Sequence, residues 1–230
     1  MANRSVGFTV WLTGMLGAGK TTLAEYVAAR LRQVGRNVEI LDDETLSPVL
    51  WKELGDTKDD RLSIGRRLGY LADVLTRNDV CTLVATVSPY KLVRDENRRL
   101  IGRYVEVYVD CPTEKLIQRD STGKYKKALS GEIPNFIGIT EPYEPPNAPE
   151  VTVHSDTEPV EEGGRKIFQA LLNLAYVSVD ELKTITGKRM KAEPMRRRSG
   201  GKAASGARGA RPRPARRAAR IAKPAGKKRR

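Results

Sequence analysis

The chain has 230 residues and a formal net charge of +14, but residues 188–230 hold 18 Lys/Arg and one acid, Glu193, so that stretch carries +17 and residues 1–187 carry −3. The first 187 residues are enough for a sizeable core. Cys81 and Cys111 stand in no metal or redox spacing, and the single histidine, His154, excludes a multi-histidine metal site and a Ser-His relay.

The pattern along the chain alternates between strand and helix signals. Residues 8–12 form a short apolar run that predicts a buried strand. It leads into Gly14-Met15-Leu16-Gly17-Ala18-Gly19-Lys20-Thr21, which fills every fixed position of the phosphate-binding pattern G-x-x-x-x-G-K-[ST]. The glycines let successive N–H groups turn toward phosphate oxygens. Lys20 places a positive charge on the β/γ-phosphates, and the Thr21 hydroxyl is a ligand for the accompanying Mg²⁺. From Thr22 a helix is predicted over 22–31, with Leu23, Val27 and Leu31 four residues apart. Its open first turn adds N–H groups and a dipole to the anion site. Strand, glycine loop and helix are the context this motif requires.

A second strand is predicted over 37–41, followed by the acidic trio Asp42-Asp43-Glu44, which is either a solvated turn or the carboxylate site a nucleotide kinase needs to hold Mg²⁺ or accept the proton of the attacking hydroxyl. Further on come a helix over 59–77, a β-branched strand over 80–87 ending at Ser88-Pro89, a charged helix over 91–101, a strand over 104–109 and a short helix over 112–119. Residues 120–149 are polar, rich in Gly and Pro, and carry little periodicity. A last strand over 150–154 and a closing helix over 159–176 complete the body.

Repeated strand–helix units predict an α/β fold: a parallel sheet of about five strands with helices on both faces. Ligands then lie beyond the carboxyl ends of the strands, where the acidic trio and Ser88 fall. The expected organisation is a kinase-like domain over 1–176, a linker or short helix over 177–187, and a tail over 188–230. The helix signal in the linker is its Ser178-Val179-Asp180-Glu181 start. The Arg/Lys/Ala/Pro-rich tail has no aromatic residue and too little apolar surface to order itself, so it is expected to be disordered. It is either a solvated extension or a non-specific contact for nucleic-acid phosphates. No apolar run reaches the length of a membrane span, and residues 8–16 run into the glycine loop rather than a signal cleavage site. A cytoplasmic, reducing setting is expected, with both thiols in the core. A homodimer is left open.

Beyond the glycine loop, the chain resembles the adenylylsulfate (APS) kinase family over about residues 7–176. The resemblance rests on Val38-Glu39-Ile40-Leu41-Asp42, Asp59-Asp60-Arg61 with Arg66-Arg67, and Ser88-Pro89-Tyr90-Lys91 followed by Arg94. It rests above all on Tyr125-Lys126-Lys127-Ala128, Gly131-Glu132-Ile133, Asn135-Phe136, Pro142-Tyr143-Glu144 and Pro146. That family phosphorylates the 3′-hydroxyl of APS with ATP to give PAPS. The resemblance implies a P-loop kinase fold, ATP with Mg²⁺, and a lid over residues 119–136. It implies Lys20 with Glu44 or Asp42 in catalysis, Thr21 and Asp42 at the metal, and Arg61, Arg66 and Phe136 around the acceptor. Arg119, Lys126 and Lys127 would neutralise charge on the transferring phosphoryl group. Ser88 matches a serine described as a phosphoserine intermediate, although it equally serves to end its strand.

The acceptor half departs from the family pattern. The span D-G-D-x-x-R is here Asp42-Asp43-Glu44-Thr45-Leu46-Ser47, so a glycine has become Asp43 and an arginine Ser47. A stacking aromatic ring is replaced by Asp56, an asparagine by Ile64, and the threonine of Asn-Phe-Thr-Gly by Ile137. Three readings stay open: an APS kinase; a kinase of the same build acting on another small hydroxyl or nucleotide compound; or a weakly catalytic ATP-binding module tethered to nucleic acid by its tail.

Overall fold

The computed structural model describes residues 6–187; the tail over 188–230, with its expected disorder and nucleic-acid contact, lies outside them. The elements in chain order are β1 (Phe8–Thr13), α1 (Lys20–Gln33), β2 (Val38–Asp42), α2 (Asp43–Leu50), α3 (Lys58–Arg77), β3 (Cys81–Ala85), α4 (Lys91–Ile101), β4 (Tyr104–Asp110), α5 (Thr113–Arg119), α6 (Lys124–Leu129), β5 (Val151–His154), α7 (Val160–Asn173) and α8 (Val179–Thr186). The five strands form one sheet in the order β2-β3-β1-β4-β5, and every neighbouring pair is parallel.

β1 is the central strand and all six of its residues are buried. Side chains alternate across a strand. Accordingly Phe8, Val10 and Leu12 join the core under α1, α7 and α8, while Trp11 joins the core under α3 with Leu68, Ala72 and Tyr104. The two threonines that β1 buries have partners: Thr9 Oγ1 lies 2.7 Å from Thr76 Oγ1, and Thr13 Oγ1 donates to the Val87 carbonyl at 2.8 Å. Both cysteines are buried and free, and burial pushes the Cys81 thiol up to about 11. No helix of the described residues is long and apolar enough to cross a membrane.

Two short helices were not anticipated from the sequence, and a third falls where a linker or short helix was expected. Residues 43–50, to which the sequence reading gave no element, form α2, whose N-terminus Asp42 caps by accepting from the N–H groups of Glu44 and Thr45. Residues 124–129 form α6 within the stretch that lacks periodicity; Asp120 Oδ2 accepts from Tyr125 N at 2.7 Å at its start. Residues 179–186 form α8, opened by a reciprocal capping box between Ser178 and Glu181. Leu182 and Ile185 are buried in the main core, and Glu181 pairs with Arg36 beside α1 at 2.6 Å. The core therefore extends past residue 176.

One buried charge network fixes the loops over the sheet. Glu106 on β4 accepts from Arg94 Nε and Arg98 Nη2, each at 3.1 Å, and Arg98 also pairs with Glu150 at 2.7 Å. Arg94 reaches further, donating to the carbonyls of Ser88 and Glu144. Two cations against two carboxylates leave no uncompensated charge in the interior. The network ties the loop after β3 to the segment before β5.

Candidate active site

The glycine loop turns from β1 into α1 at the carboxyl edge of the sheet. A Cβ at Gly14 would sit 2.3 Å from the Val109 carbonyl, so only glycine lets the loop leave between β1 and β4. Gly19 caps α1 at φ +92°, a left-handed conformation that L side chains rarely adopt, and it places no side chain over the first turn. The first-turn N–H groups are thus left for an anion.

A cleft of about 410 Å³ opens over this loop. From the loop and α1 it is lined by Leu16, Gly17, Gly19, Lys20, Thr21 and Thr22; from the end of β2 by Asp42, Asp43 and Glu44; and from the lid by Arg119 and Lys124. Met15 points away and lines a separate cavity with Gly138 and Tyr143, while Ala18 is packed in the core. Lys20 is buried, and its ammonium donates to the carbonyls of Gly14 at 3.0 Å and Met15 at 2.8 Å. Burial pulls its pKa down to about 8, against the opposing pull of Asp43, then Asp42, then Glu44.

The acidic trio does not act as a unit. Asp42 Oδ2 accepts from Thr21 Oγ1 at 2.6 Å, and its Oδ1 caps α2. Asp43 is half-buried and accepts from Thr86 Oγ1, at the end of β3, across 2.9 Å. Burial raises its pKa, partly offset by the Thr86 hydrogen bond and by Lys20. Glu44 lines the cleft at its open side, its side chain 74 % exposed, with Lys124 Nζ 4.0 Å away.

A second cleft of about 280 Å³ adjoins the first, and Leu16, Val87 and Lys124 line both. Asp56, Arg61 and residues 133–137, among them Asn135, Phe136 and Ile137, complete it. Arg61 Nη2 donates to Asp56 Oδ1 at 2.8 Å and to the Asn135 carbonyl at 2.9 Å, while its Nε donates to the Asp56 carbonyl at 3.1 Å. Phe136 meets Tyr125 edge to face at 4.9 Å, and the Tyr125 hydroxyl donates to the Leu16 carbonyl at 2.8 Å. The lid is thereby fastened to the glycine loop. Arg119 leans across to Ser155, donating to its carbonyl at 2.9 Å.

Besides Gly14, Met15 and Ala18 of the glycine loop, four residues named from the sequence stand outside both clefts. Arg66 lies on the outer face of α3 in a two-point pair with Glu96, at 2.8 and 3.1 Å. Lys126 and Lys127 are exposed on α6, because Tyr125 and Ala128 take its inward face. Ser88 is 4 % exposed at φ +41°, and its Oγ has no hydrogen-bond partner among the described residues. Two residues that spacing did not single out stand inside instead. Lys124 faces both clefts at the first position of α6, and Thr86 holds Asp43. Only Thr86 had a visible signal, as a polar residue near the end of the strand run over 80–87 that stops at Ser88-Pro89.

Comparison with known proteins decides the family. The adenylylsulphate kinase family matches residues 6–154. The chain belongs to the adenylylsulphate kinase family. An adenylyl-sulfate kinase from Rippkaea orientalis is 46% identical over 172 residues, covering 75% of this chain and 95% of that protein. One from Halothermothrix orenii is 43% identical over 175 residues, covering 76% and 95%. Among solved structures, the Mycobacterium tuberculosis APS kinase CysC in complex with AMPPNP and APS has a TM-score of 0.69 at 32% identity, over 72% of this chain and 98% of that one. A gluconokinase from Sinorhizobium meliloti, 20% identical with a TM-score of 0.51, shares the fold. Within the adenylylsulphate kinase family, then, the departures take physical form. Asp56 grips Arg61, and Ile64 packs against the core under α3.

Proposed function

We propose that the chain is an adenylyl-sulfate kinase, transferring the γ-phosphate of ATP to the 3′-hydroxyl of adenosine 5′-phosphosulfate. The observation that carries this reading is the pair of adjoining clefts. One is built on the glycine loop, the other on Arg61 and Phe136, and they meet at Leu16, Val87 and Lys124. A donor triphosphate on the loop and an acceptor in the second cleft bring phosphoryl group and hydroxyl together at that junction, which is the positioning this chemistry needs.

Each group has a physical task. The open first turn of α1 and the Lys20 ammonium bind the ATP phosphates. Arg119 and Lys124, from the lid side of the donor cleft, supply positive charge toward the transferring group. Arg61 takes the anionic end of the acceptor and Phe136 gives it an apolar wall. The lid, fastened through Tyr125 to Leu16, excludes water that would compete with the acceptor hydroxyl. The hard oxygen donors of Thr21 and Asp42, 2.6 Å apart beside the loop, suit Mg²⁺. Thr21 and Asp42 would hold the ion, which when bound would neutralise charge on the ATP phosphates.

The second reading, another acceptor, is favoured by Asp56 at the mouth of the acceptor cleft, because a carboxylate there weakens the pull of Arg61 on an anion. A competition assay separates the two. APS is offered with Mg-ATP beside a panel of nucleotides and small hydroxyl compounds, and the phosphorylated products are identified by mass. A dominant 3′-phosphorylated APS product supports the first reading, and a preferred product from another compound replaces it.

A further inference from the structure

Tyr125, the second residue of α6, is 1 % exposed and touches the walls of both clefts. Its hydroxyl donates to the Leu16 carbonyl of the glycine loop at 2.8 Å. Its ring meets Phe136 edge to face, with centroids 4.9 Å apart and the planes at 71°. Its own N–H is held by Asp120 Oδ2 at 2.7 Å. Tyr125 lines the donor cleft, Phe136 the acceptor cleft, and Leu16 both.

The groups at each end of this contact are stiff. The Leu16–Gly17 peptide is planar and trans, so its carbonyl and the Gly17 N–H point to opposite sides of one rigid unit. A hydroxyl that holds the carbonyl therefore sets the direction of that N–H. Gly17 lines the donor cleft, and its N–H has no hydrogen-bond partner among the described residues. It is one of the loop N–H groups left for phosphate oxygens. At the other end, the Phe136 N–H donates to Thr140 Oγ1 at 2.8 Å. The Phe136 carbonyl accepts from the N–H groups of Ile139, Thr140 and Glu141 at 3.2, 3.0 and 3.1 Å. With its backbone tied on both sides, Phe136 passes the pressure of a packed ligand on to Tyr125.

We propose that Tyr125 is a positioning residue that couples the two clefts: through its hydroxyl on Leu16 and its ring on Phe136, nucleotide and acceptor strengthen each other's binding. This rests on the reading of the first cleft as the ATP site and the second as the acceptor site. The sign of the effect follows from ordering. An acceptor against Phe136 restricts both rings, and a restricted Tyr125 keeps the Leu16–Gly17 peptide in one orientation. The nucleotide then meets a loop already ordered and loses less entropy on binding. By linkage, the nucleotide improves acceptor affinity by the same factor.

The test uses the full chain, its Tyr125→Phe and Phe136→Leu variants and the double variant, all with Mg²⁺. Each is titrated with AMPPNP, an ATP analogue that is not turned over, without and with saturating APS, and then with APS without and with saturating AMPPNP. Thermal melting and steady-state kcat and KM are measured beside the titrations. In the unaltered chain, APS is expected to tighten AMPPNP about 5–10-fold, and AMPPNP to tighten APS equally. Tyr125→Phe keeps the ring and loses the hydrogen bond. Its AMPPNP affinity without APS is expected to fall about 2–10-fold, the scale of one hydrogen bond, and its coupling to fall below about twofold. Phe136→Leu, which cuts the other end of the contact, loses the coupling as well, and the double variant loses no more than either single one. A merely structural Tyr125 would lower melting and weaken both ligands with the coupling factor unchanged. Coupling that survives in Tyr125→Phe overturns the proposal, as does an unaltered chain that binds both ligands without coupling. If APS does not bind, the acceptor reading fails separately, and AMPPNP alone decides. Losses in the two single variants that do not add in the double variant support the proposal; losses that add, or no loss in either, overturn it.

Discussion

Arg61 and Asp56 form a 2.8 Å ion pair at the mouth of the acceptor cleft, where the family pattern has an aromatic ring in place of the aspartate. The guanidinium has other anchors, on the carbonyls of Asn135 and Asp56, so it stays in place without the carboxylate. Asp56→Asn is therefore expected to free its charge for an anionic acceptor. Asp56 is largely exposed, which keeps the pair near the about 0.2–1 kcal/mol of surface pairs, and so KM for APS should fall by about 2–5-fold with kcat unchanged. Steady-state kinetics check this; a rise in KM would mean that Asp56 contacts the acceptor itself.

The lid lysines should divide by position. Lys124 lines both clefts, whereas Lys126 and Lys127 are on the exposed side of α6. Lys124→Ala is expected to lower kcat by about 10–100-fold, the scale of losing one charge-assisted contact to the transferring group. The Lys126→Ala and Lys127→Ala variants should remain within about twofold. Equal losses in all three would mean that the lid closes in a different register over bound ATP.

Ser88 offers a direct check on a covalent route. Its Oγ is buried without a partner, and phosphorylation there would put a dianion where no described side chain hydrogen-bonds the oxygen. Transfer straight to the acceptor needs no such step. Ser88→Ala, which leaves the backbone carbonyl free to accept from Arg94, is expected to keep kcat within about threefold. A loss beyond about a hundredfold, or phosphate found on Ser88 by mass spectrometry, would restore the phosphoserine route.

The ion pair between Arg36 and Glu181 makes α8 part of the folded unit and gives stability a pH dependence. Burial tends to raise the Glu181 carboxyl, but hydrogen bonds from Arg36 and Ser178 outweigh it and hold it below its ordinary value. Its contribution is therefore complete above the unfolded carboxylate value of about 4.3 and is lost as pH falls through the lower folded value. Glu181→Gln is expected to cost about 1–2 kcal/mol at pH 7, and the gap to the unaltered chain should close toward pH 3. Denaturant unfolding at several pH values measures both.

Much of the fold was legible because periodicity and punctuation agree. β1, the glycine loop and α1 are marked by an apolar run, fixed glycines and leucines four apart, and the parallel sheet follows from the alternation. α2 was hidden by its charged start and by Pro48 inside it, and α6 by its length of one and a half turns among Gly and Pro. Within the site, residue type was readable but direction was not. Spacing alone cannot say that the backbone after Asp42 enters a helix at once, and that entry is what turns Asp43 toward Thr86 while Glu44 stays at the open side of the cleft. For the same reason Lys126 and Lys127 carried the sequence signal while Lys124 faces the clefts: the inward face of α6 is set by Tyr125 and Ala128, which only packing reveals.

The most direct measurement is ADP release from Mg-ATP by the full chain, with and without APS, with the product identified by mass. ADP release that depends on APS and matches the PAPS formed mole for mole is the expected result. ATP bound at the glycine loop with a rate that APS does not change would contradict an adenylyl-sulfate kinase and point to another acceptor for the same donor cleft.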